Sequence, residues 1–352
     1  MSRIKPSTDN FFEDFRLGQV IPHATPRTLT GGDAALYQAL YGSRFAVQSA
    51  DTFAQAIGYP QAPLDDLLVF HTVFGKTVPD ISLNAIANLG YADCRFLAPV
   101  YPGDTLTASS EIIGLRENSN RETGVVYVRS SGRNQHGTPV LDYVRWVMVR
   151  KRDKAAPAQQ AVVPKLPERV DPATLGAAVP PLDCTKWDRT LAGSDALWGD
   201  YQAGDRIDHA DGMTIEEAEH QMATRLYQNT AKVHFNQHTE GQGRFGRRLV
   251  YGGVIISLAR ALSFNGLANA FHIAAINGGR HVAPAFAGDT VYAWSEVLET
   301  AEIAGRTDIG AVRVRLMATK NLPAADYPGR TAAGTYAEGV ILDLDAWLAI
   351  PR

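Results

Sequence analysis

Apolar and polar residues alternate through Asp104–Glu117 (DTLTASSEIIGLRE), Val125–Gln135 (VVYVRSSGRNQ) and Val140–Arg152 (VLDYVRWVMVRKR), and the last two runs flank the turn residues His136–Pro139. A period of two sends successive side chains to opposite faces, so these runs predict consecutive antiparallel strands with one buried face. The alternation returns through Asp289–Glu302, Ala311–Asn321 and Ala332–Leu344, with a Pro328-Gly329 loop before the last run. Upstream of each set the period changes. Val250, Val254, Leu258 and Leu262 recur four apart and draw one drifting helical stripe, and Leu64–Val78 (LDDLLVFHTVFGKTV) does the same work earlier in the chain. One long helix ahead of several antiparallel strands, twice over, predicts two α+β units. In each, a curved sheet wraps a central helix, and the two sheets pair edge to edge so that neither leaves an open edge at the junction.

The two sets are copies. Asp14, Gly18, Ile21, His23, Ala24, Thr28, Leu40, Tyr41 and Val47 recur 186 positions later as Asp200, Gly204, Ile207, His209, Ala210, Thr214, Leu226, Tyr227 and Val233. The run RFLAPVYPGDTL from Arg95 returns, one residue closer, as RHVAPAFAGDTV from Arg280. Between the copies, Lys151–Asp183 is rich in Ala and Pro and has no sustained period, which marks a connection. The expected organisation is a first unit over 1–152, a linker over 153–183 and a second unit over 184–352.

Composition narrows the function. A chain of 352 residues is long enough for two domains with their own cores, and 45% apolar with 20% charged residues is ordinary for a globular protein. A net charge of −3 gives no general attraction to nucleic acid or to a membrane surface. No apolar run approaches the roughly 18 residues of a membrane span, and MSRIKPSTDNFFEDF has no leader-like apolar segment, so a cytoplasmic protein is expected. Two cysteines, Cys94 and Cys184, one per copy, support neither a disulfide framework nor a cysteine zinc site.

Within the shared register the polar residues diverge: Ser43 stands against Asn229 and Gln48 against His234, and the aligned place for Gly252 and Gly253 is read as His71 and Thr72. The second copy carries Asn229-Thr-Ala-Lys-Val-His234, then Phe245-Gly246, then Leu249-Val250-Tyr251-Gly252-Gly253, then Ala283-Pro284-Ala285-Phe286-Ala287-Gly288-Asp289. This order resembles that of the MaoC-type hot-dog dehydratases, the (R)-specific enoyl-CoA hydratases. Their motifs are D-x-N-P-x-H, Phe-Gly, an Ile-Ala-His-Gly-like helix start and P-x-x-P-G-D. Over the whole chain, and most of all in His234–Gly266, the resemblance is to the mesaconyl-CoA hydratases, also called β-methylmalyl-CoA dehydratases. It implies a double hot-dog fold and a hydro-lyase acting on an acyl-CoA thioester, by syn hydration of the enoyl group with no metal or other cofactor. Nucleic acid and membrane are not implied as partners, and a homo-oligomer is compatible with the sequence.

The resemblance also implies the site. His234 falls where the family has its catalytic histidine, a residue type suited to proton transfer near neutral pH. Asn229 replaces the family's aspartate, and an amide cannot take a proton from water. Either His234 acts alone while Asn229 orients the water, or a carboxylate such as Asp65, Asp66 or Glu240 substitutes. Gly252 and Gly253 open the central helix, where free N–H groups can stabilise negative charge on a thioester oxygen, although two glycines also serve close packing. Lys232, Arg244, Arg247 and Arg248 are candidates for a substrate carboxylate or the coenzyme A phosphates, against the alternative of a solvated charged loop. With Ser43, Gln48 and His71 off pattern, the first copy is expected to shape the substrate pocket without catalysing. The rival readings are an acyl-CoA thioesterase and a non-catalytic acyl-CoA-binding protein.

Overall fold

The computed structural model describes residues 10–352. The first nine residues, part of the MSRIKPSTDNFFEDF segment read above, lie outside the described residues. Five strands, β1 (Val20–Thr28), β2 (Ala85–Phe96), β3 (Thr105–Glu117), β4 (Thr123–Arg133) and β5 (Pro139–Arg150), belong to the first copy. The second copy has β6 (Arg206–Asp208), β7 (Met213–Thr214), β8 (His272–His281), β9 (Thr290–Glu302), β10 (Ile309–Lys320) and β11 (Val340–Pro351). They form one antiparallel sheet in the order β1-β3-β4-β5-β2-β8-β11-β10-β9-β6, with β7 also on β9, so each copy's strand order is the mirror of the other about the β2–β8 junction. The protein is thus a double hot-dog.

That junction fixes the symmetry. Tyr91 pairs with Gly279 and Cys94 with Ile276, and adding 185 to one member of each pair gives a member of the other. Elsewhere His23 Nε2 lies 2.8 Å from Ser110 Oγ and His209 Nε2 2.7 Å from Ser295 Oγ, so the same tie between a copy's first strand and its neighbour is made twice. Asp14 and Asp200 each cap an equivalent turn, accepting from Phe11 N (2.9 Å) and Leu197 N (2.7 Å).

The central helices are Asp66–Ile81 and Gly252–Leu262. Nearly every residue of both is buried, as expected of a helix apolar all round and enclosed by sheet. Asp65 caps the first helix by accepting from Leu67 N at 2.9 Å. The helix starts are 186 apart, and His71 is hydrogen-bonded to Ser257, 186 positions on. Asp66 and Leu67 are therefore the counterparts of Gly252 and Gly253, and the alignment to His71 and Thr72 is corrected. A uniformly apolar stripe carries no mark that fixes register from sequence.

A second correction concerns Ala332–Leu344. Its first part is a loop closed by the Thr331–Thr335 turn, with Gly334 and Gly339 at positive φ, and β11 begins only at Val340. The segment between the copies touches both: Val162 bridges to Leu115, and Val170 N donates to Asn277 Oδ1 at 2.8 Å. Among the described residues no helix is long and apolar enough to cross a membrane.

Candidate active site

Residues Tyr227–His234 form a tight loop ending in a short helix, Lys232–Phe235, the counterpart of Ala46–Ser49 in the first copy. The loop rests on the other copy's central helix at Gly75, where a Cβ would overlap the Tyr227 carbonyl oxygen. Asn229 is 2% exposed and its Oδ1 accepts from Ala231 N at 3.1 Å, an Asx turn that holds the loop's shape. His234 follows one short helical turn later, partly buried, with Nδ1 2.8 Å from the Leu249 carbonyl oxygen and its ring 5.5 Å from that of Tyr251. Burial pushes its pKa down to about 4, against a smaller upward pull from the Leu249 carbonyl.

Two further histidines, which the sequence did not single out for chemistry, complete this neighbourhood. His281 ends β8 and packs its ring against Gly252, where a Cβ would overlap it, and its Nε2 is 3.2 Å from Tyr91 Oη of the first copy. His71 fills the space beside Gly253 and is hydrogen-bonded to Tyr251 Oη at 3.3 Å and Ser257 Oγ at 3.2 Å. Burial, reinforced by His234, lowers the His281 pKa to about 4, and burial, reinforced by His281, lowers that of His71 to about 3. The first turn of Gly252–Leu262 is therefore ringed by neutral imidazoles. Both glycines are needed for this packing.

Asp65 and Asp66 do not come to His234. They open the other central helix, where Asp66 binds His272 Nδ1 at 2.8 Å and accepts from Ile273 N at 2.7 Å. Glu240 closes the turn Gln237–Glu240 and makes no hydrogen bond to His234. The four cations separate. Arg248 is tied to Glu217 and Gln221. Arg247 stacks 4.1 Å above the Phe286 ring and Arg244 5.1 Å from that of Phe245, the two rings being 5.3 Å apart. Lys232 is exposed. Among the described residues Lys232, Arg244 and Arg247 make no ion pair.

The equivalent place in the first copy is lined differently. Gln48 stands for His234, Phe96 for His281 and Asp66 for Gly252, and together with His272 and Ala178 they line a cavity of about 10 Å³, room for roughly one water.

The fold and this loop-helix site define a MaoC-like dehydratase architecture, and solved structures agree. A MaoC domain dehydratase from Chloroflexus aurantiacus J-10-fl superposes with a TM-score of 0.96 at 62% identity, covering 100% of this chain and 99% of that one. A Mycobacterium tuberculosis protein with a double hot-dog fold gives 0.69 at 26% identity over 97% and 98% of the two chains. The chain belongs to the mesaconyl-CoA hydratase family, whose model matches residues 5–335. It is 63% identical to the β-methylmalyl-CoA dehydratase of Chloroflexus aurantiacus over 99% of both chains. It is 57% identical to the mesaconyl-CoA hydratase of Cereibacter sphaeroides over 99% of this chain and 100% of that one.

Proposed function

We propose that this chain catalyses the reversible addition of water to mesaconyl-CoA, giving β-methylmalyl-CoA, at the site in its second copy. The relatives supply the substrate; the state of His234 carries the chemistry. A backbone carbonyl only accepts, so in the 2.8 Å contact with Leu249 the proton sits on Nδ1, and a neutral ring then keeps its lone pair on Nε2. With its pKa near 4 the ring is neutral at pH 7 and able to take a proton from water. As the water oxygen bonds to the β-carbon, the π electrons move toward the α-carbon and the thioester oxygen. His234 holds the proton and returns it to the α-carbon on the same face, which is a syn addition.

Gly252 and Gly253 open the helix, and N–H groups there, with no carbonyl a turn earlier to bind, suit the thioester oxygen. Asn229 shapes the loop and carries no proton. Arg244 and Arg247, exposed on an aromatic platform, suit the coenzyme A phosphates, and Lys232 suits an anion at the loop. The counterpart site, with Gln48, Phe96 and Asp66 where the second copy has His234, His281 and Gly252, supports a shaping role for the first copy, over 1–152, with 153–183 as the connection.

The test is to add purified protein to mesaconyl-CoA and to crotonyl-CoA, following enoyl absorbance and free thiol. Loss of absorbance without thiol release, faster on mesaconyl-CoA, is expected. Thiol release identifies a thioesterase, binding without turnover a binding protein, and preference for crotonyl-CoA removes the mesaconyl-CoA assignment.

A further inference from the structure

We infer that His281 is a second catalytic residue of this site, a neutral imidazole whose N–H donates to the thioester oxygen and polarises the carbonyl. This rests on the hydratase reading above. Three observations converge on it. First, its ring lies against Gly252 at the start of the central helix, beside the N–H groups that would receive the same oxygen. Second, the two copies diverge at this position together with the others of the site: where the second copy has His234, Gly252 and His281, the first has Gln48, Asp66 and Phe96. The fold accepts an apolar ring at the end of this strand, so folding alone does not require the imidazole. Third, His281 is oriented from across the copy junction. Tyr91, 3% exposed and with its phenol pKa pushed up by burial, keeps its proton, and at 3.2 Å it can donate to His281 Nε2. That bond leaves the ring proton on Nδ1, as a donor.

The charge state fits the role. A histidinium would be a stronger donor, but burial beside His234 disfavours it, and a neutral imidazole is an effective partner for a carbonyl that becomes enolate-like. No proton leaves His281. The hydrogen bond strengthens as charge builds on the oxygen, while the proton from water travels through His234. With Asn229 unable to act as a base, the division of labour is one base and one electrostatic donor, both histidines.

The test uses His281→Phe, which installs the first copy's own residue, and His281→Gln, which restores an N–H donor. His281→Phe is expected to lower kcat on mesaconyl-CoA about 10²- to 10³-fold, the usual cost of one such donor, with KM changed less than threefold and Tm within a few degrees of wild type. His281→Gln should recover at least tenfold of that loss. In a His234→Ala background, binding should red-shift the enoyl absorbance through carbonyl polarisation, and adding His281→Phe should abolish the shift. Both variants folded and equally slow, an unchanged red shift, or His281→Phe retaining more than a third of wild-type kcat would each overturn the assignment. If His281→Phe does not fold, His281→Ala takes its place in both the kinetic comparison and the red-shift measurement. A wild-type protein inactive on every enoyl-CoA would instead overturn the hydratase reading.

Discussion

Tyr227 donates its phenol proton to Tyr41 Oη across 2.8 Å, and the two residues are copies of one another, 186 positions apart. Both are essentially unexposed, so a residue and its repeat meet near the pseudo-two-fold axis. The contact ties the loop that leads to His234 to the first copy, as the Gly75 seat does from below. The site belongs to one copy but is held by both.

Tyr227→Phe and Tyr41→Phe should each lower stability, because each leaves a buried hydroxyl without its partner, whereas the double variant removes both polar groups. The double change should cost less than the sum of the single ones, with a coupling of about 0.5–1.5 kcal/mol in a double-mutant cycle measured by denaturant unfolding. Strict additivity would show that the two hydroxyls do not depend on each other.

His234→Ala should lower kcat by roughly 10² to 10⁴ with little loss of stability. Because the neutral ring is the active form and its pKa is held near 4, the acid limb of kcat/KM should fall well below the ordinary histidine value of about 6.5. A limb at 6–7 would assign the titration to a different, solvated group.

Fold stability should decline on the acid side for a related reason. His71 and His209 are unexposed, and burial lowers their pKa values to about 3 and about 4. Above pH 6.5 both are neutral folded or unfolded and contribute nothing to the pH dependence. Between 6.5 and 4 the unfolded chain binds protons that the native state excludes, so stability falls as pH drops, by about 1.4 kcal/mol per unit for each histidine. Denaturant midpoints at pH 7, 5.5 and 4.5 check this, and a flat profile contradicts it.

Gly75→Ala should damage both stability and turnover. Its Cβ would overlap the Tyr227 carbonyl, a backbone atom that cannot rotate away, so the loop to His234 must shift. A loss of about 1–3 kcal/mol and a fall in kcat are expected, read by Tm and by the enoyl assay. Wild-type activity in this variant would mean that the seat on the other copy is not what positions the loop.

Arg145 is unexposed and forms no ion pair among the described residues; it donates to Ser82 Oγ at 2.9 Å and Thr77 Oγ1 at 2.8 Å, and its Nε has no partner. By strand register its counterpart in the second copy is Ala346. A buried cation without a counter-ion is costly even with the Phe74 ring 4.4 Å from its guanidinium, so Arg145→Met should raise stability by about 1–4 kcal/mol. A drop in Tm would instead show that the guanidinium holds the fold.

Much of this was legible in the chain because it depends on local period and on repetition. Alternation marked β3, β4, β5, β9 and β10, the four-residue stripe marked the central helix of the second copy, and the 186-residue offset implied a paired double fold. His234 stood out because its copy is Gln48. The strands β2 and β8 that join the copies were not legible, since bulges and glycines blur their alternation and their partner is on the other copy. His281 ends one of them. Its position against Gly252, its bond to Tyr91, and the removal of Asp65 and Asp66 to the other helix start all depend on which residues the sheet junction brings within a few ångströms. Local patterning carried most of the strands, the central helices, the duplication and the histidine that diverged. The tertiary structure decided which side chains surround that histidine, because those contacts cross a pseudo-symmetry axis that local patterning does not register.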